Sequence, residues 1–92
     1  YANIEQEDGT LERVQITNMV NLPDSFEGKT AIAYGRIYST DFFQDPYNDG
    51  SWGYAYSTKA GTEIPGIGTN VILRGVISGN KLTECTIEMD AR

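Results

Sequence analysis

Ninety-two residues make one domain, and 39% hydrophobic content with 11% aromatics is enough for a single compact core. Thirteen acidic against seven basic residues give a net charge of −6. That balance weighs against sequence-independent nucleic-acid binding, which draws most of its affinity from neutralised phosphates. No stretch approaches the roughly 20 apolar residues of a helical membrane span, and no secretory leader is read.

The chain opens on Tyr1, which fits a mature form or a domain taken from something longer. Its charge reads as a solvated surface, with Glu5, Glu7, Asp8 and Glu12 crowding the start. The lone Cys85 leaves no intramolecular disulfide and is expected as a small core residue. With no histidine in the chain, no activated thiol, catalytic set, metal site or cofactor is read, and the protein is not expected to be an enzyme.

In chain order, residues 1–10 read as a flexible lead-in ahead of a domain over 11–92. Val14 and Ile16 alternate as in a short strand. Thr17-Asn18 then caps a helical turn holding Met19, Val20 and Leu22 and stopped near Pro23. A turn over 24–28 places Phe26 as a plug for one end of the core. Residues 29–39 form a long strand in which Ile32 and Tyr34 share a face, and Ile37 joins that face only through a bulge at Gly35. A loop over 40–51 follows. Within it, Asp45 to Gly50 faintly matches a calcium loop, but no glutamate closes the site, and Asn48-Asp49-Gly50 reads as a turn. Residues 52–58 alternate Trp52, Tyr54 and Tyr56 against Gly53, Ala55 and Ser57. A brief strand over 62–64 precedes Pro65-Gly66. A second long strand covers 69–78, and Gly79-Asn80 signals a two-residue hairpin of type I′ or II′. The last strand, 81–90, turns Cys85, Ile87 and Met89 inward.

The clearest internal signal is a near-copy. Residues 32–39, centred on Gly35, and residues 72–79, centred on Gly75, both run apolar residues into a mid-strand glycine and continue as strand. Glycine at such a point marks a bulge, a bend or a barrel corner. Five strands whose first and fourth members are long and glycine-bent predict an all-β fold, a five-stranded Greek-key barrel with a short N-terminal helical turn.

Leu22-Pro23-Asp24-Ser25-Phe26-Glu27-Gly28-Lys29-Thr30, leading into the Gly35 strand, resembles the entry to the first strand of bacterial OB-fold domains of the tRNA-anticodon-binding-like kind. Gly68-Thr69-Asn70-Val71-Ile72-Leu73-Arg74-Gly75-Val76-Ile77, with the hairpin and Leu82-Thr83-Glu84-Cys85-Thr86-Ile87 after it, resembles their last two strands. The match covers residues 17–90 and is one of strands and glycines, so it speaks to fold more than function. It departs between the third and fourth strands, where Pro65-Gly66-Ile67-Gly68 leaves no room for the helix many members carry. The turn around Met19 to Phe26 closes that end instead. The resemblance implies an extracytoplasmic setting, since some bacterial members are lipoproteins or envelope proteins.

OB-folds bind oligonucleotides or oligosaccharides on the first loop and the neighbouring strand face. Here that region carries Tyr38, Phe42, Phe43, Tyr47, Trp52, Tyr54 and Tyr56, with Arg36 beside them. Flat rings stack on bases or on sugar faces, and they also fill cores. Both uses are open at this point. Asp41, Asp45 and Asp49 share the loop and favour sugar hydroxyls over phosphates. The expected role is a non-catalytic binding module for a protein or an oligosaccharide. The alternatives are a single-strand nucleic-acid binder using Arg36, Lys59 and Arg74, or a purely structural domain.

Overall fold

The computed structural model describes residues 1–21, 23–45 and 53–90. Seven strands and two short helices follow one another: β1 (Ala2–Glu5), β2 (Leu11–Val14), α1 (Ile16–Asn21), α2 (Pro23–Phe26), β3 (Thr30–Ile37), β4 (Phe42–Gln44), β5 (Gly53–Thr58), β6 (Asn70–Ile77) and β7 (Lys81–Met89). The sheet runs β2-β1-β3-β4-β5-β7-β6 and closes through a β3–β6 pairing. Five strands, β3, β4, β5, β7 and β6, therefore form a closed barrel, antiparallel except for the parallel β5–β7 pair. This is an all-β, OB-like Greek-key barrel with a short helical segment. No helix among the described residues is long and apolar enough to cross a membrane.

The two long strands explain the closure. β3 buries Ala31, Ala33, Gly35 and Ile37, and β6 buries Val71, Leu73, Gly75 and Ile77. Their register is unbroken from Thr30↔Val76 to Arg36↔Asn70. So there is no bulge at Gly35, and Ile37 shares its face with the alanines. Ile32 and Tyr34 point outward instead. The Phe43 ring packs onto β3 at Gly35, on the inward side, where no larger side chain fits. A Cβ on Gly35 would lie 2.5 Å from Phe43 Cδ2 and 3.1 Å from the Gln44 carbonyl oxygen.

The irregularity falls in β7. Arg74 and Val76 oppose Thr86 and Thr83, and Tyr56 and Thr58 oppose Leu82 and Cys85, so both neighbours meet one extra residue there. Glu84, with φ of 54°, lies within it. The shift keeps Leu82 and Cys85 both inward, while Met89, expected inside, is 64% exposed. Burial pushes the Cys85 thiol up to about 12, and its Sγ donates to the Leu82 carbonyl at 3.3 Å. At the β6–β7 turn, Gly79 and Asn80 both have positive φ, which selects the I′ form.

Three further expectations are corrected. Residues 1–10 are not a flexible lead-in: β1 pairs with β2 and with β3 (Ala2↔Ala33, Ile4↔Ala31), and Ala2 and Ile4 are wholly buried. The alternation of Ala2 and Ile4 is only four residues long and runs straight into an acidic turn, which hid it. The loop over 40–51 contains the second barrel strand, β4, whereas residues 62–64 form no strand. The short helical turn is present as α1 and α2, which carry Ile16, Met19 and Phe26 into the core; Leu22 lies outside the described residues.

Candidate functional site

β3 and β4 are joined by a tight turn built on Ser39. Its hydroxyl donates to Asp41 Oδ1 at 2.6 Å and accepts from the Phe42 amide at 3.1 Å. The Tyr38 and Ser39 amides both donate to the Phe42 carbonyl at 3.1 Å. This main-chain clamp extends the register beyond Ile37↔Phe43 and sets Tyr38 opposite Phe42 on the outer face. Tyr38 is 58% exposed and Phe42 42% exposed, so both rings meet solvent.

Next to them β5 presents small residues outward. Ala55 opposes Phe42, and Gly53 opposes Gln44. Tyr38, Phe42, Gln44 and Gly53 line an open cleft of about 290 Å³. One row along, Arg36 lies between Gln44 and Asn70 in register, and its Nε donates to Asn70 Oδ1 at 3.1 Å. That bond occupies one of five guanidinium donors and fixes the plane of the rest. The face thus joins two aromatic rings, a floor of small residues, an amide and an oriented guanidinium. Asp41 is committed to Ser39, and the Asp45 carboxylate accepts from the Tyr1 amino group at 2.5 Å.

The expected aromatic set divides. Tyr38, Phe42 and Arg36 come together on one surface. Phe43, Tyr54 and Tyr56 do not belong to it: they are at most 2% exposed and pack on one another, with Phe43 centroids 5.9 Å from Tyr54 and 6.1 Å from Tyr56. Tyr54 and Tyr56 share one side of β5, as their alternation predicts, and that side is the core side. Tyr47 and Trp52, with the turn over 48–50, lie outside the described residues. Gln44, Asn70 and Gly53 escaped the sequence reading because only cross-strand register brings them beside Arg36 and Phe42.

The two buried tyrosines differ in their hydroxyls. Tyr56 Oη donates to the Ser39 carbonyl at 2.9 Å and so anchors the turn under the cleft. Tyr54 Oη has no hydrogen-bond partner among the described residues. An unpaired buried hydroxyl costs about 1–3 kcal/mol, and a typical hydrogen bond contributes about 1 kcal/mol. Tyr54→Phe is therefore expected to stabilise by about 1 kcal/mol and Tyr56→Phe to destabilise by a similar amount, as read from urea midpoints. Shifts of the same sign would contradict this assignment. Burial, reinforced by Glu27, also pushes the Tyr54 hydroxyl from 10.0 up to about 12. The unfolded chain loses that proton first, so the contribution is full below pH 10 and declines as pH rises toward 12.

Comparison with protein-family models, curated proteins and solved structures found no match for this chain.

Proposed function

We propose that this domain is a non-catalytic binding module that takes an oligosaccharide on the Tyr38–Phe42 face. The observation that carries the reading is the pairing of two solvent-facing rings with the small β5 residues beside them. A pyranose ring offers an apolar C–H face to aromatic carbon and a rim of hydroxyls to planar donors and acceptors. Tyr38 and Phe42 supply the first surface, and Gln44 with the Asn70-aligned Arg36 supplies the second. The turn that holds the rings is already bonded through Ser39, so little ordering is needed on binding. A protein anchored by the same two rings is the competing occupant.

Charge separates this reading from nucleic-acid binding. Of the cations invoked for phosphates, Arg36 borders the cleft, Arg74 lies farther along the outer face of β6, and Lys59 follows the opposite end of β5. They make no continuous track along a strand of phosphates, and the chain carries −6. A resemblance to bacterial OB-fold envelope proteins suits an extracytoplasmic saccharide binder.

The experiment is an amide-shift titration with a panel of oligosaccharides and with poly-dT, each at low and physiological salt. Sugar-dependent shifts at Tyr38, Phe42 and Gln44, insensitive to salt and weakened at least about tenfold by Phe42→Ala, are the expected result, since one stacked ring is worth about 1–3 kcal/mol. Salt-sensitive shifts with poly-dT alone would replace this reading with the nucleic-acid one. Silence from the whole panel would leave the face to a protein.

A further inference from the structure

A second face, bordering the cleft at the Arg36–Asn70 row, covers the outer side of β3, β6 and β7. Register lays it out as a grid. Ile32, Arg74 and Thr86 form one row, and Tyr34, Ile72 and Glu88 form the next. These six side chains enclose a hollow of about 360 Å³. Ile32 and Ile72 give its floor apolar, partly buried side chains, and the Tyr34 ring beside them is stacked on Tyr1 with centroids 4.7 Å apart. Outward positions of a small barrel normally meet water through polar residues. Ile32 and Ile72, diagonal neighbours there, mark a surface that gains by being covered.

Arg74 and Glu88 stand on this floor as diagonal neighbours, both exposed. Neither forms an ion pair among the described residues. The arrangement is self-complementary. A twofold axis lying in the interface and passing between them sets Arg74 of one copy over the partner's Glu88, and the reverse pair forms by symmetry. The same axis runs close to Ile72 and brings it against its own mate. A twofold contact uses one patch on both subunits, so a patch must carry both signs flanking an apolar centre to satisfy itself. A partner of one dominant charge would leave either Arg74 or Glu88 unpaired.

We propose that the outer face of β3, β6 and β7 is the contact surface of a symmetric dimer of this chain, with reciprocal Arg74–Glu88 pairs around Ile72. The Tyr38 and Phe42 rings stand two rows beyond Tyr34, past the Arg36–Asn70 row that borders the cleft.

Charge reversal tests this directly. Arg74→Glu gives a copy with two acids on the face, and Glu88→Arg gives one with two bases. Sedimentation across a concentration series is expected to show a dimer for the native chain. Each single variant is expected to dissociate at least about tenfold more readily, because like charges then meet at both contacts. An equimolar mixture of the two variants is expected to recover the dimer, since every acid then faces a base. Thr86→Arg, which adds bulk close to the axis, serves as a further disrupting variant. A native chain that stays monomeric at the highest soluble concentration overturns the proposal. So do single variants that dimerise like the native chain, or a mixture that remains monomeric.

Discussion

Phe43→Ala is expected to lower the unfolding free energy by about 3–5 kcal/mol, the range for truncating a buried phenylalanine. Phe42→Ala, at the adjacent position, is expected to cost about 1 kcal/mol or less. The two rings occupy opposite sides of a three-residue strand. Phe43 has no exposed surface and touches both Tyr54 and Tyr56, while Phe42 faces solvent across from Ala55. The loss at Phe43 is large because its neighbours cannot collapse into the hole. Gly35, on which the ring packs, has no side chain to move, and the closed barrel fixes its backbone. For a domain of this size the loss is a large share of the total stability. Guanidinium unfolding of the two variants separates them, and comparable losses would show that the inside–outside division of β4 is wrong. The same pair bears on the proposed binding face, since Phe42→Ala removes one of its two exposed rings while leaving the fold intact.

The contrast shows what the chain makes legible. The glycine-centred repeats around Gly35 and Gly75 gave the closed barrel, because a mid-strand glycine reports a local steric demand that needs no knowledge of the partner strand. The I′ hairpin at Gly79-Asn80 and the inward Cys85 are local in the same sense. What stayed hidden is set between strands. Which face of β3 turns inward depends on the three rings arriving from β4 and β5, so Ile32 and Tyr34 looked like core when Ala31 and Ala33 are. β4 itself is three residues long and is recruited by pairing with β3 and β5 on either side. β1 likewise owes its place to β2 and β3. The candidate face suffers most, because aromatic content marks core and surface alike. Only register divides Tyr38 and Phe42 from Phe43, Tyr54 and Tyr56.

Gly75→Ala is the other substitution with a large expected effect, about 3 kcal/mol or more, enough to threaten folding. A Cβ there would run into the Thr83 carbonyl oxygen and come within 2.9 Å of Cys85 Sγ and 3.2 Å of Leu82 Cγ. The first obstacle is backbone and cannot swing aside. It is held in place by the extra residue in β7, where Glu84 takes a left-handed conformation and the Thr83 hydroxyl donates to the Val76 carbonyl at 2.8 Å. Relief would require β7 to withdraw from β6, and β7 is also the strand that closes the barrel against β5. The cost therefore spreads from one methyl group to the closure itself. At Gly35 the nearest obstacle is the edge of the Phe43 ring, so Gly35→Ala is expected to be milder and to be partly relieved by Phe43→Leu. Gly66, with open space around it and no positive φ, is the control: Gly66→Ala is expected to be neutral or slightly stabilising. Thermal unfolding of the Gly75 and Gly66 variants side by side reads the difference. If Gly75→Ala proved as harmless as Gly66→Ala, the bulge in β7 would have to be free to slide, and the close approach of β6 and β7 would not be what fixes the curvature of the barrel.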